Sequence, residues 1–574
     1  MAKGYLPVLR DQPMLLPPDM RDWLPGDHPV WLVISVVDHL DTSAFHARRR
    51  TGKAGAAGYD PDMMVALLVW AYANGVTSSR RMERLCWSDA AFMVICGGNR
   101  PDHTTIARFR EQDPDAMKVL FAEVLGLCAQ LGMGKLGVVT LDGMKMGANA
   151  SKSANRTLAS LTRLAAETVA EHEAADAAED EAYGAGNHGD GVPEDVRSPQ
   201  SRAGKKARDE RIGRAVADLQ AERDAEDQGE REDQAAKTAR YRESRAAGRR
   251  PGGVPASAQV EVAAEEVARM TAAQQARIDD WAARDAADRA AGGPGLSKRT
   301  RPKSPASSYV RVREAQAQLD QARERAAARQ AARAAKEEER PRSRNITDPG
   351  SRLMPVRDGG FRQSCNTQND TSEDGLIIAT EVTTDPGDVT WFEPMLGKAQ
   401  EAAGFIASRR PPARAPADSP PAAATPDNTA DSGRCQCGTC GTCLIALFVT
   451  DSGYLSEHNL TCPGPDRLIA TGKHRDLEIN TRDPDSPKPS RYAGPAVAAM
   501  AERLRTEEGI TACRQRGHIA ETPHGHIKHN LGIRQFSLRG LPKVTAEWNL
   551  ITAVHNLLKA ISTGNLTTQA LTTL

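Results

Sequence analysis

The run at 137–146 reads as a short buried β-strand, with Val138, Val139, Thr140 and Leu141 held between glycines. It carries one carboxylate, Asp142. An acid on a buried strand costs free energy unless it is paired or holds a cation. That constraint asks for partners, and two later segments supply them. The run at 445–454 is again an apolar strand that ends on an acid, Asp451, and a glycine. The run at 521–528 carries Glu521 and Lys528 around Pro523. Proline suits a first helical turn, so a helix is expected to begin near Glu521. Glu521, Gly525 and Lys528 then share one face at i, i+4 and i+7. Two strand-end aspartates and a helical glutamate present hard oxygen donors of the kind that a pair of Mg²⁺ ions requires. Two such ions stabilise both the attacking and the leaving oxygen in phosphoryl displacement.

At 574 residues the chain exceeds one core, and two to four domains are expected. Lys+Arg and Asp+Glu both number 75, so any basic surface for nucleic acid has to be local. No stretch approaches ~20 apolar residues, and the N-terminus lacks a signal-peptide apolar region. Ten cysteines in a chain of this size do not make a disulfide framework, which points to a reducing cytoplasm.

In chain order, residues 1–132 read as an N-terminal helical domain. The apolar run at 30–37 suits a helix or a strand. Asp60-Pro61 starts a helix, and Thr77-Ser78-Ser79 caps another that carries Arg80, Arg81, Glu83 and Arg84. An apolar helix ends at Gly97-Gly98, and a third starts at Pro101-Asp102 and carries Arg108 and Arg110. Three short helices with basic residues are compatible with a helix-turn-helix module; the alternative is an ordinary helical domain with solvated arginines. A longer helix over 116–131 leads into the Asp142 strand, and 133–150 forms the first strand of the catalytic core.

Composition changes over 151–344, where Ala, Arg, Glu and Asp dominate. Such sequence has high helix propensity and little to bury, so the segment reads as a partly disordered helical insertion with a solvated charged surface. Core-like sequence returns over 345–408, with strands at 361–369 and 376–382, a turn at Glu373-Asp374-Gly375 and a helix from Trp391. Three strands, a helix and then the Asp451 strand is the chain order of a ribonuclease H-like α/β core. Residues 409–443 read as a disordered linker ending in Cys435, Cys437, Cys440 and Cys443. These invite a zinc site completed by Cys462, His458 or His474, with free thiols in a variable loop as the alternative. Residues 444–574 return to the core and close with an apolar-striped helix over 544–561, preceded by Arg514 and Arg516. Asp385, Asp388 and Glu478 fall in turns that read as solvated, while Glu507 and Glu508 compete with Glu521 as partners of the aspartates.

Taken together, these segments resemble a DDE transposase of a bacterial insertion sequence, of the IS-eleven-eighty-two branch. The resemblance runs through Tyr59-Asp60-Pro61, Pro101-Asp102-His103-Thr104-Thr105, Leu141-Asp142-Gly143, Asn345-Ile346-Thr347-Asp348-Pro349-Gly350, Asp451-Ser452-Gly453-Tyr454, Glu521 to Lys528 and Glu547-Trp548. It implies that Asp142, Asp451 and Glu521 bind Mg²⁺ or Mn²⁺. It further implies that Lys528 and Arg516 contact the DNA backbone near the scissile phosphate, with Arg514, Arg80, Arg81 and Arg108 as further DNA-binding candidates. The expected partners are element-end and target double-stranded DNA and a second copy of the chain, acting at the bacterial nucleoid. The chain departs from the family where Thr522-Pro523-His524-Gly525 replaces the usual Pro-Val-Phe-Gly. A ribonuclease H-like nuclease without strand transfer, a derivative that only binds DNA, and a scaffold built on the insertion are the competing readings.

Overall fold

A computed structural model describes residues 19–47, 58–112, 114–167, 199–248, 253–302, 304–339, 342–356, 359–411, 444–472 and 494–574. The chain forms two compact units, one from 1–154 with 347–574 and one from 155–346.

The first unit opens with seven helices: α1 (Pro29–His39), α2 (Ser43–His46), α3 (Pro61–Ala73), α4 (Ser79–Ser88), α5 (Ala90–Ile95), α6 (His103–Gln112) and α7 (Pro114–Gln130). The apolar run at 30–37 is therefore helical, started by Pro29 in the first turn and capped by the His28 side chain. Asp60 and Asp89 cap α3 and α5 through their carboxylates. Arg110 does not join the solvated arginines of α6. It is 5 % exposed, and its Nη1 donates to the Tyr72 hydroxyl at 3.0 Å.

The sheet contains β1 (Val138–Gly147), β4 (Arg352–Pro355), β5 (Phe361–Ser372), β6 (Ile377–Thr383), β7 (Leu447–Thr450) and β8 (Arg467–Ile469), with β2 (Asn155–Thr157) and β3 (Ser343–Asn345) in the other unit. β5 lies antiparallel to β1 and pairs on its far edge with β4 and then β6, both antiparallel. On the other side of β1, β7 and β8 follow in parallel. From β6 through β5, β1 and β7 to β8 this is a mixed sheet in which β1 is central. β5 is buried over ten of its twelve residues although most of them are polar. Many of its amides and hydroxyls are bonded to neighbouring elements, as Gln363 is to Ser351, Thr367 to the Met144 carbonyl and Gln368 to Asp388, although Ser364 Oγ and Asn366 Oδ1 find no partner among the described residues. At Asp370 neither carboxyl oxygen has a hydrogen-bond partner among the described residues. Burial pushes this carboxyl well above the usual carboxylate range, against the pull of Lys398.

The second unit holds the described part of α8 (158–167), followed by α9 (Pro199–Ala246), α10 (Gln259–Ala290) and α11 (Val310–Glu339). β2 and β3 pair antiparallel where this chain segment begins and ends. Its apolar cluster is small, built on Leu161, Ile212, Ala215 and Leu219. The long helices instead carry ion pairs such as Arg242–Glu261 at 2.7 Å and Arg269–Glu266 at 2.5 Å. Exposed pairs of this kind contribute about 0–1 kcal/mol each, so helix propensity carries most of the structure.

The first unit closes with α12 (Phe392–Arg409), α13 (Glu457–Thr461), α14 (Pro495–Arg503), α15 (Glu507–Gly525), α16 (Leu541–Ser562) and α17 (Thr568–Leu571). α16 is the apolar-striped helix; Trp548, Leu550, Ile551 and Val554 are fully buried in it. One expectation fails at α15. The helix does not begin near Glu521 but at Glu507, capped by Thr506, and Pro523 lies inside it. Proline there removes one backbone hydrogen bond, at a cost of about 3 kcal/mol. The site is the last turn before a π-helical segment, His526–Asn530, and Pro523 is buried, so packing offsets the loss. Glu507 and Glu508 consequently sit in the first turn, where the helix dipole favours acids, and not near a helix end.

Candidate active site

β1 and β7 run parallel, and their last paired residues are Leu141 and Thr450. Asp142 and Asp451 are the next residue on each strand, so the two acids lie at the same level on neighbouring strands. Asp142 Oδ1 accepts the Gly143 N–H at 3.0 Å. Asp451 Oδ1 accepts the Gly453 N–H at 2.9 Å and so caps the short turn Ser452–Tyr454.

A third acid belongs here, against the reading of its turn as solvated. Asp388 Oδ1 accepts amide N–H groups of Asn366 and Gln368, each at 2.7 Å. A Cβ placed on Gly143 would lie 2.7 Å from Asp388 Oδ1, and one on Gly453 would lie 3.4 Å from its Oδ2. The glycines beside both strand-end acids are thus the positions where Asp388 makes its closest approach. Tyr454, buried below, donates its hydroxyl to Gln368 Oε1. Burial raises the Tyr454 phenol well above its ordinary range, and the carboxylates of Asp388, Asp142, Asp451 and Asp370 raise it further. Four acidic side chains therefore bear on one hydroxyl.

α15 packs against β1, β5, β7 and β8. It brings His524 to the site: His524 Nδ1 lies 3.6 Å from Asp142 Oδ2, with both side chains mostly buried. The proton position follows from the neighbours. Asn369 Oδ1 accepts the Trp548 indole N–H at 3.1 Å and the Thr380 hydroxyl at 2.6 Å, which fixes the amide orientation. Asn369 Nδ2 therefore donates to His524 Nε2 at 3.1 Å, and the proton of a neutral His524 sits on Nδ1, toward Asp142.

Glu521 stands one turn before His524 on the same helical face, with its side chain exposed. Arg514 lies two turns further back on that face, also exposed, whereas Arg516 is turned to the flank of the helix, close to Cys513. Lys528, in the π-helical segment, donates from Nζ to the Lys145 carbonyl on β1 at 3.0 Å. Arg80, Arg81 and Arg108 are exposed on α4 and α6 and enter no ion pair among the described residues. The cysteines at 435–443 and His474 lie outside the described residues. Of their suggested helpers, Cys462 is buried beside the Arg467 guanidinium at 2.8 Å and His458 is paired with Glu393 at 2.8 Å.

The carboxylates gathered here are the type of donor that a divalent cation takes. Carboxylate oxygens on neighbouring strands are hard ligands, and glycine at 143 and 453 lets the Asp388 carboxylate come close to both strands. Among the described residues, the group whose ligand atoms already lie within 4.8 Å of one another is a different one, His46, Asp60 and Asp62 in the helical domain. Its groups already have local roles: Asp60 caps α3, and Asp62 accepts from Thr42 and from His46 at 3.0 Å.

No curated protein and no solved structure matches the chain. No described helix is long and apolar enough to cross a membrane. Two family models do match. One described as a transposase domain (DUF772) covers residues 18–112, which hold α1 to α6. One described as a transposase DDE domain covers 488–561, which hold Glu521, His524, Lys528 and nearly all of α16. With the first at the helical N-terminal domain and the second at the helix packed over Asp142 and Asp451, the chain carries a transposase domain and a transposase DDE domain.

Proposed function

We propose that the protein is the transposase of a bacterial insertion sequence, cutting DNA at the element ends and joining the freed 3′-hydroxyl to target DNA. The observation that carries this is the pairing of Asp142 and Asp451 at one level on neighbouring parallel strands, beneath the helix that bears Glu521. A central β1 flanked by antiparallel β5 and parallel β7 supports a ribonuclease H-like reading of the core, and α4 to α6 support a helix-turn-helix-like reading of the DNA-binding domain.

Asp142, Asp451 and Glu521 would hold Mg²⁺ or Mn²⁺, and Asp388 adds a fourth carboxylate. Such ions polarise the scissile phosphate and stabilise the oxygens that enter and leave. In the first step a water oxygen bonds to phosphorus and the element's 3′-oxygen departs. In the second, that 3′-oxygen attacks a target phosphate and displaces the target's own 3′-oxygen. Lys528 and Arg514 flank Glu521 along α15 and supply positive charge for the DNA backbone. Arg80, Arg81 and Arg108 extend that surface onto the helical domain. Two element ends have to be brought together, which requires two copies of the chain acting on nucleoid DNA in the cytoplasm.

Purified protein incubated with Mg²⁺, a supercoiled target and duplexes carrying the DNA that flanks the gene tests this reading. Products in which an element 3′-end is covalently joined to the target support it. Cleavage without joining would leave a nuclease, and binding without cleavage would leave a DNA-binding derivative.

A second expectation follows from the glycine beside Asp142. Gly143→Ala forces Asp388 out of place, because the new methyl meets its Oδ1 and the Gln368 amide at 2.7 and 3.0 Å. End cleavage is expected to fall roughly 10- to 100-fold, the usual cost of a misplacement of about 1 Å. Gly517→Ala in α15 meets nothing within 4 Å and serves as the control. Equal rates for the two variants in the same cleavage assay would remove Asp388 from the site.

A further inference from the structure

We propose that the polar cleft between the first turn of α4 and the segment at 532–537 seats one backbone phosphate of the bound DNA strand. This rests on the DNA-cleaving function argued above and adds a site that neither the acids nor the exposed arginines of α6 define. The cleft encloses about 630 Å³ and is lined by Arg80, Arg110 and Arg534, with no carboxylate among its lining residues. α4 is preceded by Ser78, whose side chain makes no capping bond, so the first-turn amides of this ten-residue helix are not capped by it. A helix N-terminus in that state favours an anion.

Arg110 is the independent observation. Its side chain is 5 % exposed, yet it lines the cleft. Nη1 is engaged by the Tyr72 hydroxyl and by the Thr77 carbonyl at 2.6 Å, while Nε has no partner among the described residues. A buried guanidinium with a donor left over is costly unless an anion shares its charge. Glu547 and Glu111 share part of its charge, but the Glu547 oxygens are taken up by Tyr72, by Ser537 and by the Leu538 N–H at 2.9 Å. The phosphodiester group fits what remains. It carries one negative charge and two free oxygens that accept from a guanidinium fork and from helix amides.

The cleft is also tied to the acids. The Gly147 N–H donates to the Arg534 carbonyl at 3.2 Å, and the Phe536 N–H donates to the Gly147 carbonyl at 2.8 Å, so the wall at 534–536 pairs alongside the end of the strand that carries Asp142. Five residues of strand separate Asp142 from Gly147, roughly 17 Å. That corresponds to about five base steps along one strand of a duplex. The opposite wall is held against this segment at Gly75, where a Cβ would lie 2.3 Å from the Leu531 carbonyl oxygen.

The test uses the full chain and a fluorescent 30-base-pair duplex, titrated over a range of salt concentrations. Arg80→Gln, Arg534→Gln and the double variant are compared with the parent chain, with matched thermal melting to show that all are folded. Each single variant should bind about 5- to 10-fold more weakly, and the salt slope should fall by about 0.9, the value for one phosphate contact. The double variant should lose that same ~0.9 and not twice as much, because both arginines serve one phosphate. Unchanged affinity in the single variants, or a double loss in slope, overturns the proposal. No binding by the parent chain at any salt concentration overturns the DNA reading itself. Inorganic phosphate at constant ionic strength is the second arm. Equal displacement of the duplex from parent and double variant is expected, and preferential displacement from the parent would assign the cleft to a free anion.

Discussion

Asp142→Asn and Asp451→Asn each leave a folded protein that cleaves DNA ends at least ~10³-fold more slowly than the parent chain. The substitution is nearly isosteric, and the asparagine oxygen still accepts the Gly143 or Gly453 N–H that each aspartate now accepts. What is lost is a negative charge beside at least one other acid. A factor of ~10³ corresponds to about 4 kcal/mol of transition-state stabilisation, within the range that loss of a metal ligand removes. The same change has an opposite effect on the resting protein. Without divalent metal, Asp142, Asp451 and Asp388 repel one another, so either asparagine variant should melt above the parent chain. With Mg²⁺ added, the parent should gain stability and the variants should gain less. Cleavage within tenfold of the parent, or an identical Mg²⁺-induced rise in melting temperature, would remove these acids from the chemistry. Glu521→Gln tests the third position by the same measurements, and a loss as large as that of Asp142→Asn is expected.

How much of this was legible in the sequence depended on whether a signal was local. Asp142 and Asp451 stand out in the sequence because each follows an apolar run and is followed within two residues by glycine, although β1 continues past Asp142 to Gly147; the fold gives that glycine a purpose in the approach of Asp388. Asp388 itself was not legible. Its turn is polar and carries no pattern, and it is held by Asn366 and Gln368 across the sheet, on a polar strand that gives no hint of burial. The start of α15 was misread because proline is a strong local rule. Ala512, Cys513, Ile519 and Ala520 bury one side of that helix, and such packing overrides propensity. His524 looked like a departure from a family motif, and only the register of Asn369 opposite Asp142 reveals what it touches. Arg110 likewise reads as one more surface arginine until Tyr72 and Thr77 turn it inward. The charged segment at 151–344 was legible for a physical reason of its own: sequence so poor in large apolar residues forms helices and little core.

Acid should destabilise the parent chain more than a His555→Gln variant, by on the order of a few kcal/mol between pH 6.5 and pH 4. His555 on α16 is fully buried; its Nε2 donates to the Gly375 carbonyl at 3.2 Å and its Nδ1 meets His526 Nδ1 at 3.0 Å. With its own proton on Nε2, His555 is neutral and accepts from His526 Nδ1. Burial pushes His555 down to about 3, aided by His526 and Lys559, and burial with Lys559 also lowers His526. Below pH 6.5 the unfolded chain takes up protons at these histidines while the folded chain resists. The stability they contribute is therefore complete above about pH 6.5 and is lost as pH falls toward 3. Asp370 acts in the opposite sense. Its raised carboxyl keeps a proton in the fold that the unfolded chain releases above the ordinary carboxylate range, so its contribution to stability falls as pH rises. The two slopes oppose each other between about pH 4 and 6.5, so the absolute curve hides both. The difference between parent and variant isolates the histidine. Glutamine at 555 keeps a donor for Gly375 and an acceptor for His526, so the variant should remain folded and lose close to one proton of pH dependence in urea-denaturation midpoints. Parallel curves for parent and variant would mean that His555 does not govern acid lability. Because His526 opens the π-helical segment that carries Lys528, cleavage activity in the parent should fall over the same pH range before global unfolding.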